Sequence, residues 1–251
     1  MAGLTAAARR GVTVNVTLDD FGSSSLPEAY LEQLRSAGCR VRAYNEAKWY
    51  QIEEVNYRTH RKLLVVDGEV AFTGGVGVAD HWLGDAEGPD HWRDTQVRMD
   101  GPIARLLEAA FYENFIEGPE PVTPVIGPPR GDTATASVSE GRAADPLDTV
   151  PATRAPTLVV RSSASGGSSD MKRLYLMLLA SARQSVDITT PYFVSDESSR
   201  WTLADAVRRG VRVRILSEGD ITDAPPVKYS SRRSYEQLLQ AGVELYEYQP
   251  T

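Results

Sequence analysis

Several things are scarce in this chain, and each scarcity narrows the reading. A single cysteine, Cys39, permits no intrachain disulfide and says little about redox compartment. Histidine occurs three times, as His60, His81 and His91, so few imidazoles are on hand for chemistry. Cationic side chains are outnumbered, 27 Lys and Arg against 34 Asp and Glu. The resulting net charge of −7 argues against a bulk nucleic-acid binder, though not against a local cationic pocket. Long hydrophobic runs are lacking too. No stretch approaches the ~20 apolar residues of a membrane span, and no signal-peptide pattern is visible. The opening MAGLTAAARRG reads as the last turns of a helix feeding a strand rather than as a basic amphipathic anchor. What remains is a globular composition, 41% hydrophobic and 24% charged, with length for one large domain or two smaller ones.

Taken in order, residues 4–18 read as helix then strand with Gly11 as the stop, 28–37 as a helix ended by Gly38, and 39–44 as a strand. A hairpin follows, then a polar Gly-rich loop at 78–90, a strand at 92–99 and a helix at 103–116. From 118 to 157 the composition turns to Pro, Gly, Ala, Thr and Ser. Such a stretch buries too little apolar surface to offset the entropy of ordering it, and it is expected to be a linker. Beyond it come a strand at 158–161, a helix at 171–182, a strand at 186–190, the Pro191-Tyr192-Phe193 corner, a helix at 204–209 and a strand at 211–216. A helix at 234–241 and a strand at 243–248 complete the pattern. This alternation predicts an α/β fold, an α-β-α sandwich with a mixed sheet.

The chain also repeats itself. AARRGVTVNVTL around Gly11 parallels AVRRGVRVRIL around Gly210, and LEQLRSAGCRVRAY around Gly38 parallels YEQLLQAGVELYEY around Gly242. Two pairs in the same order predict two related halves, residues 1–117 and 158–251. At this offset a counterpart of His60 falls past Thr251, so the second half is expected to be incomplete, cut before its own histidine motif.

The richest stretch is NYRTHRKLLVVDGEVAFTGG, 56–75. Asp67-Gly68 between two short β-rich runs is a strong signal for a tight primed hairpin turn. If 56–66 is one extended strand, Asn56, Arg58, His60 and Lys62 project from one face, grouping cations around one imidazole as a phosphate site would. Asp67, seven residues beyond His60, would then lie about 20 Å away, which favours a structural role at the turn.

The spacing His60-x-Lys62-x4-Asp67-x6-Gly74-Gly75 resembles the signature of the phospholipase D superfamily. With N-x-R-x-H-R-K, HWRDT at 91–95 and PYF at 191–193, the chain looks like bacterial cardiolipin synthases and related phosphatidyltransferases. The resemblance implies a phospholipase D-like fold. It implies phosphodiester exchange on an anionic glycerophospholipid at a membrane surface, with no cofactor or metal, by a peripheral protein of the bacterial cytoplasmic membrane. His60 would attack phosphorus to give a phosphohistidine, Lys62 would neutralise the non-bridging oxygens, and Asp67 completes the signature. The acid for the leaving alcohol would come from a second motif, in a missing half or in a homodimer partner.

Around this centre the readings stay paired. Asp94 is a candidate to orient His60, against a plain surface carboxylate. Asn56 and Arg58 are candidate phosphate contacts. Gly74 and Gly75 either cradle phosphate or only turn the chain, and Tyr192 either lines a pocket or packs in the core. Gly77 stands where the superfamily usually has Asn, so a phosphate-facing amide is missing there. Cys39, His81 and His91 lack zinc-ligand spacing. The Arg208, Arg209, Arg212 and Arg214 cluster reads as solvated. A hydrolase or nuclease of the same superfamily, and an inert half-site with the fold alone, are the rival functions. Nucleic acid is not an expected partner.

Overall fold

The computed structural model describes residues 1–20, 22–44, 59–88, 90–116, 155–162, 170–220, 222 and 225–249. The expected linker falls almost wholly outside these. The chain forms two compact units, Met1–Gly167 and Ser168–Thr251.

In the first unit, α1 (Ala2–Arg9) leads to β1 (Asn15–Asp19), and α2 (Glu28–Ser36) leads to β2 (Arg40–Tyr44). The two strands pair in parallel, Asn15 opposite Arg40 and Asp19 opposite Tyr44. A parallel pair needs a crossover, and α2 is that crossover. Alternation then sorts the side chains. Val14, Val16, Cys39 and Val41 pack with Leu4, Ala7 and Ala8 of α1 and Leu34 of α2. Asn15 and Arg42 point the other way, to α3 (Pro102–Ile116): the Asn15 amide donates to the Tyr112 hydroxyl (3.3 Å) and Arg42 to the Phe115 carbonyl (2.7 Å). Burial pushes the Tyr112 phenol up. Helices therefore cover both faces of this strand pair.

The second ladder of the unit is antiparallel: β3 (Leu63–Val66), β4 (Val70–Gly74) and β5 (Gln96–Asp100), in that order. The expected turn is present. Asp67 and Gly68 both adopt positive φ, 54° and 64°, and the Glu69 N–H donates to the Val66 carbonyl at 3.0 Å. That is the backbone of a primed turn. Ala71, Ala104 and Leu107 form the core beneath it, with Leu63, Val65, Met99 and Val159 packed around them. Helix α3 packs on β1 and β2 as well as on β3, β4 and β5, so it joins the two ladders.

The second unit contains α4 (Asp170–Ser181), β6 (Ser185–Thr189), α5 (Glu197–Arg208), β7 (Arg212–Ser217), α6 (Pro225–Arg232), α7 (Tyr235–Gln240) and β8 (Glu244–Glu247). Its three strands are parallel, with β7 in the centre. Val213 and Ile215 are buried against Leu179, Leu203, Ala206 and Leu238.

The internal repeat is visible in backbone geometry. Gly11, Gly38, Gly210 and Gly242 all take φ near +90°. After each, the following amide reaches back five residues: Val12 to Ala7, Cys39 to Leu34, Val211 to Ala206 and Val243 to Leu238, at 3.0–3.2 Å. This is one helix-ending motif used four times, at positions where a side chain is disfavoured.

Four expectations are corrected. The strand expected from Asn56 begins at Leu63, because residues 59–62 bond elsewhere; 45–58 lie outside the described residues. Residues 158–161 form no strand and pack on the first unit instead, through Val159 and Arg161. Helix α5 starts seven residues before the expected 204, because the Asp196 carboxylate accepts the Ser199 N–H (2.8 Å) and so caps a helix there. Helix α6 was not expected, its start being hidden behind Pro225-Pro226, although proline suits a first helical turn.

Candidate functional site

The four residues before β3 are held on one side and presented on the other. The Thr59 N–H donates to Oδ2 of Asp19 (2.9 Å), at the carboxyl end of β1, and the Thr59 hydroxyl meets the Asn114 side chain at 3.5 Å. Arg61 donates to the Ala110 carbonyl (2.7 Å), to Glu113 (3.0 Å) and to the Ser162 carbonyl (3.0 Å). Ala110, Glu113 and Asn114 lie three and four apart on α3, hence on one helix face. Residues 59 and 61 are thus tied to α3. In an extended chain, residues 60 and 62 then face away from it.

His60 is exposed and Lys62 partly exposed. The Lys62 ammonium reaches back to the His60 carbonyl at 3.5 Å, and the Lys62 carbonyl accepts the Thr73 hydroxyl of β4 at 3.1 Å. Neither side chain is sealed beneath packing. An imidazole and an ammonium two residues apart, open to solvent, can meet a phosphodiester with a nucleophile and a positive charge.

Across β4 lies the HWRDT segment. The ladders pair Leu63 with Thr73 and Gly74 with Gln96. The β4–β5 ladder runs on by one step, the Gly75 N–H donating to the Thr95 carbonyl at 3.3 Å, whereas Thr59 and Arg61, before β3, take partners outside the ladder. The Asp94 carboxylate accepts the Thr95 N–H (2.6 Å) and lies against Gly75, where it occupies the space a Cβ would need. At Gly74 a Cβ would run into the Thr95 carbonyl. Close crossing of the incoming strand thus accounts for both glycines. Gly77, in place of the usual Asn, lies under Trp82, whose indole nitrogen is 2.7 Å from where a Cβ would be. Trp82, His81 and Trp92 pack together, with ring centroids 4.5–5.8 Å apart, so His81 belongs to an aromatic cluster. Among the described residues no three His, Cys, Asp or Glu side chains are grouped to hold a metal ion.

The remaining expected residues are placed as follows. Asp67 is exposed at the turn, where its left-handed backbone is the contribution seen. Asn56 and Arg58 lie outside the described residues. Tyr192 is 42% exposed in the second unit, its N–H directed to the Thr190 hydroxyl, while its neighbour Phe193 is the buried member of that corner. Asp187 pairs with Arg214 and Asp205 with Arg208 and Arg209, so part of the arginine cluster is engaged in ion pairs. Asp19 was missed by sequence reasoning. The available signal was an acidic residue ending a strand just before Gly and Ser, at the carboxyl end of a parallel pair, where α/β folds place their sites.

The chain matches the protein family described as "Cardiolipin synthase, PLD-like domain" over residues 1–82 and 175–251. Over 250 residues it is 32% identical to a cardiolipin synthase of Geobacillus kaustophilus, an alignment covering 96% of this chain and 45% of that one. Over 247 residues it is 33% identical to cardiolipin synthase A of Pseudomonas putida, covering 97% and 47%. The chain spans about half the length of the curated relatives it matches.

Proposed function

Because the chain belongs to the cardiolipin synthase family of phospholipase D-like domains, we propose that it carries one histidine half-site of a phosphatidyltransferase. The observation that supports this best is the alternation at 59–62: Thr59 and Arg61 are fastened to Asp19 and α3, and His60 and Lys62 are left facing solvent.

In this reading His60 attacks the phosphorus of an anionic glycerophospholipid and the P–O bond to the leaving alcohol breaks. The phosphatidyl group then rests on the imidazole until a second alcohol takes it. Lys62 offsets charge on the non-bridging oxygens as it builds. Asp94, whose carboxylate lies against Gly75 just past β4, is assigned to orient the imidazole through its other nitrogen. Asn56 and Arg58 are assigned to the phosphate. The proton for the leaving alcohol comes from a second histidine motif, in another part of a longer chain or in a second copy. The substrate is met at a membrane surface; among the described residues no helix is long and apolar enough to cross a membrane.

The test is incubation with phosphatidylglycerol vesicles, following glycerol and cardiolipin together. Transfer predicts both products in step, whereas hydrolysis predicts phosphatidic acid without cardiolipin. His60→Asn should abolish turnover and any acid-labile phosphorylated species trapped from the wild type. Unchanged turnover in that variant would remove His60 from the reaction. Turnover rising with the square of protein concentration would identify a second copy as the source of the other histidine.

A further inference from the structure

The carboxylate of Asp19 does two jobs at the carboxyl end of β1. Oδ1 accepts the Gly22 N–H at 2.7 Å and folds the loop that leaves the strand. Oδ2 accepts the Thr59 N–H at 2.9 Å, forty residues on, immediately before His60. A charged acceptor makes such bonds short and strong, and each oxygen is committed to a different segment. The Thr59 side chain and Arg61 are directed to α3, as described above. Asp19 grips the backbone itself, at the residue immediately before the presented imidazole.

We propose that Asp19 is a positioning residue for the His60–Lys62 segment, fixing the backbone from which the nucleophile projects. Its role differs from that assigned to Asp94: it acts through the Thr59 amide, not through the imidazole. The second half of the repeat carries a comparable device. Glu218 follows β7 at the corresponding place, and its Oε2 is bonded to the hydroxyl of Thr222, one loop turn later. A strand-end carboxylate that folds the next loop thus occurs in both halves. Only in the first does its other oxygen hold a histidine-bearing segment among the described residues.

The proposal rests on the reading of His60 as nucleophile, and its test separates the two. Asp19→Ala and Asp19→Asn are made in the full chain, with folding checked by circular dichroism and thermal melting. Asn keeps one acceptor oxygen and turns an amide nitrogen towards the other donor, so it should retain more function than Ala. The expected result for Asp19→Ala is at least a tenfold fall in kcat on phosphatidylglycerol with KM within threefold. Amide exchange at Thr59 should also quicken at least tenfold, while β4 amides stay protected. Asp19→Asn should fall between wild type and Ala on both readouts. Wild-type kcat in Asp19→Ala, or unchanged exchange at Thr59 in both variants, overturns the proposal. If the wild type gives no turnover, the transferase reading fails, and exchange at Thr59 alone decides whether Asp19 fixes the segment.

Discussion

The two glycines after β4 occupy neighbouring positions and answer to different constraints. A Cβ at Gly74 meets main chain, the Thr95 carbonyl, which cannot step aside without shifting β5. A Cβ at Gly75 meets the end of a short side chain, the Asp94 carboxylate, which can rotate away at the loss of its bond to the Thr95 N–H. Gly74→Ala is therefore expected to cost about 1–3 kcal/mol as an overpacking substitution, read as a lower denaturation midpoint. Gly75→Ala should lose less stability and proportionately more turnover, because it displaces Asp94 from its resting place. Equal stability losses in the two variants would show that β5 is not rigid where it crosses. The spacing of these glycines was readable in the sequence, but the reason for them was not. It lies in a crossing partner twenty residues away, which no local pattern records.

At the scale of the element, what sequence could show and what it could not divide along the same line. The Asp67-Gly68 turn was legible because both positive-φ residues are local, and the four glycine helix ends were legible because each motif spans six residues. The start of β3 was not, because Thr59 and Arg61 take partners from β1 and α3 in place of ladder bonds. The start of α5 was hidden for a different reason: its first turn carries little apolar pattern and is set by a cap. Asp196 accepts the Ser199 N–H and pairs with Lys172 of α4. These contacts, Lys172 foremost, hold its carboxyl well below the ordinary range. A depressed folded-state value means the stabilisation is present above the unfolded carboxylate value, about 3.9, and fades as pH falls below it. Thermal melts should thus show wild type and Asp196→Ala separated at pH 6 and converging as the pH drops towards 2. Melting curves that stay equally far apart at both ends would assign the difference to something other than this carboxylate.

At the scale of the whole molecule, each unit owns a core. In the second, Val213 and Ile215 of the central strand and Leu203 and Leu238 of the flanking helices are almost fully buried among themselves. Such a unit should fold alone, and Ser168–Thr251 expressed by itself is expected to melt in a single cooperative transition with helical circular dichroism. A broad, non-cooperative melt would mean that its strands need the first unit to order them. The repeat makes the comparison informative, since both units build their strand pairs from the same helix-glycine-strand piece. The first adds α3, which fastens both the parallel pair and the histidine-bearing segment.

The fastening of Thr59 and Arg61 imposes an arithmetic rule on this stretch of chain. The His60 side chain is aimed by the odd–even count between two anchored neighbours, so the length of this segment can change only in twos if His60 and Lys62 are to keep the face they present. One residue too many would swing Lys62 towards the helix and turn an anchor outwards, leaving the fold intact and the imidazole and ammonium on different sides.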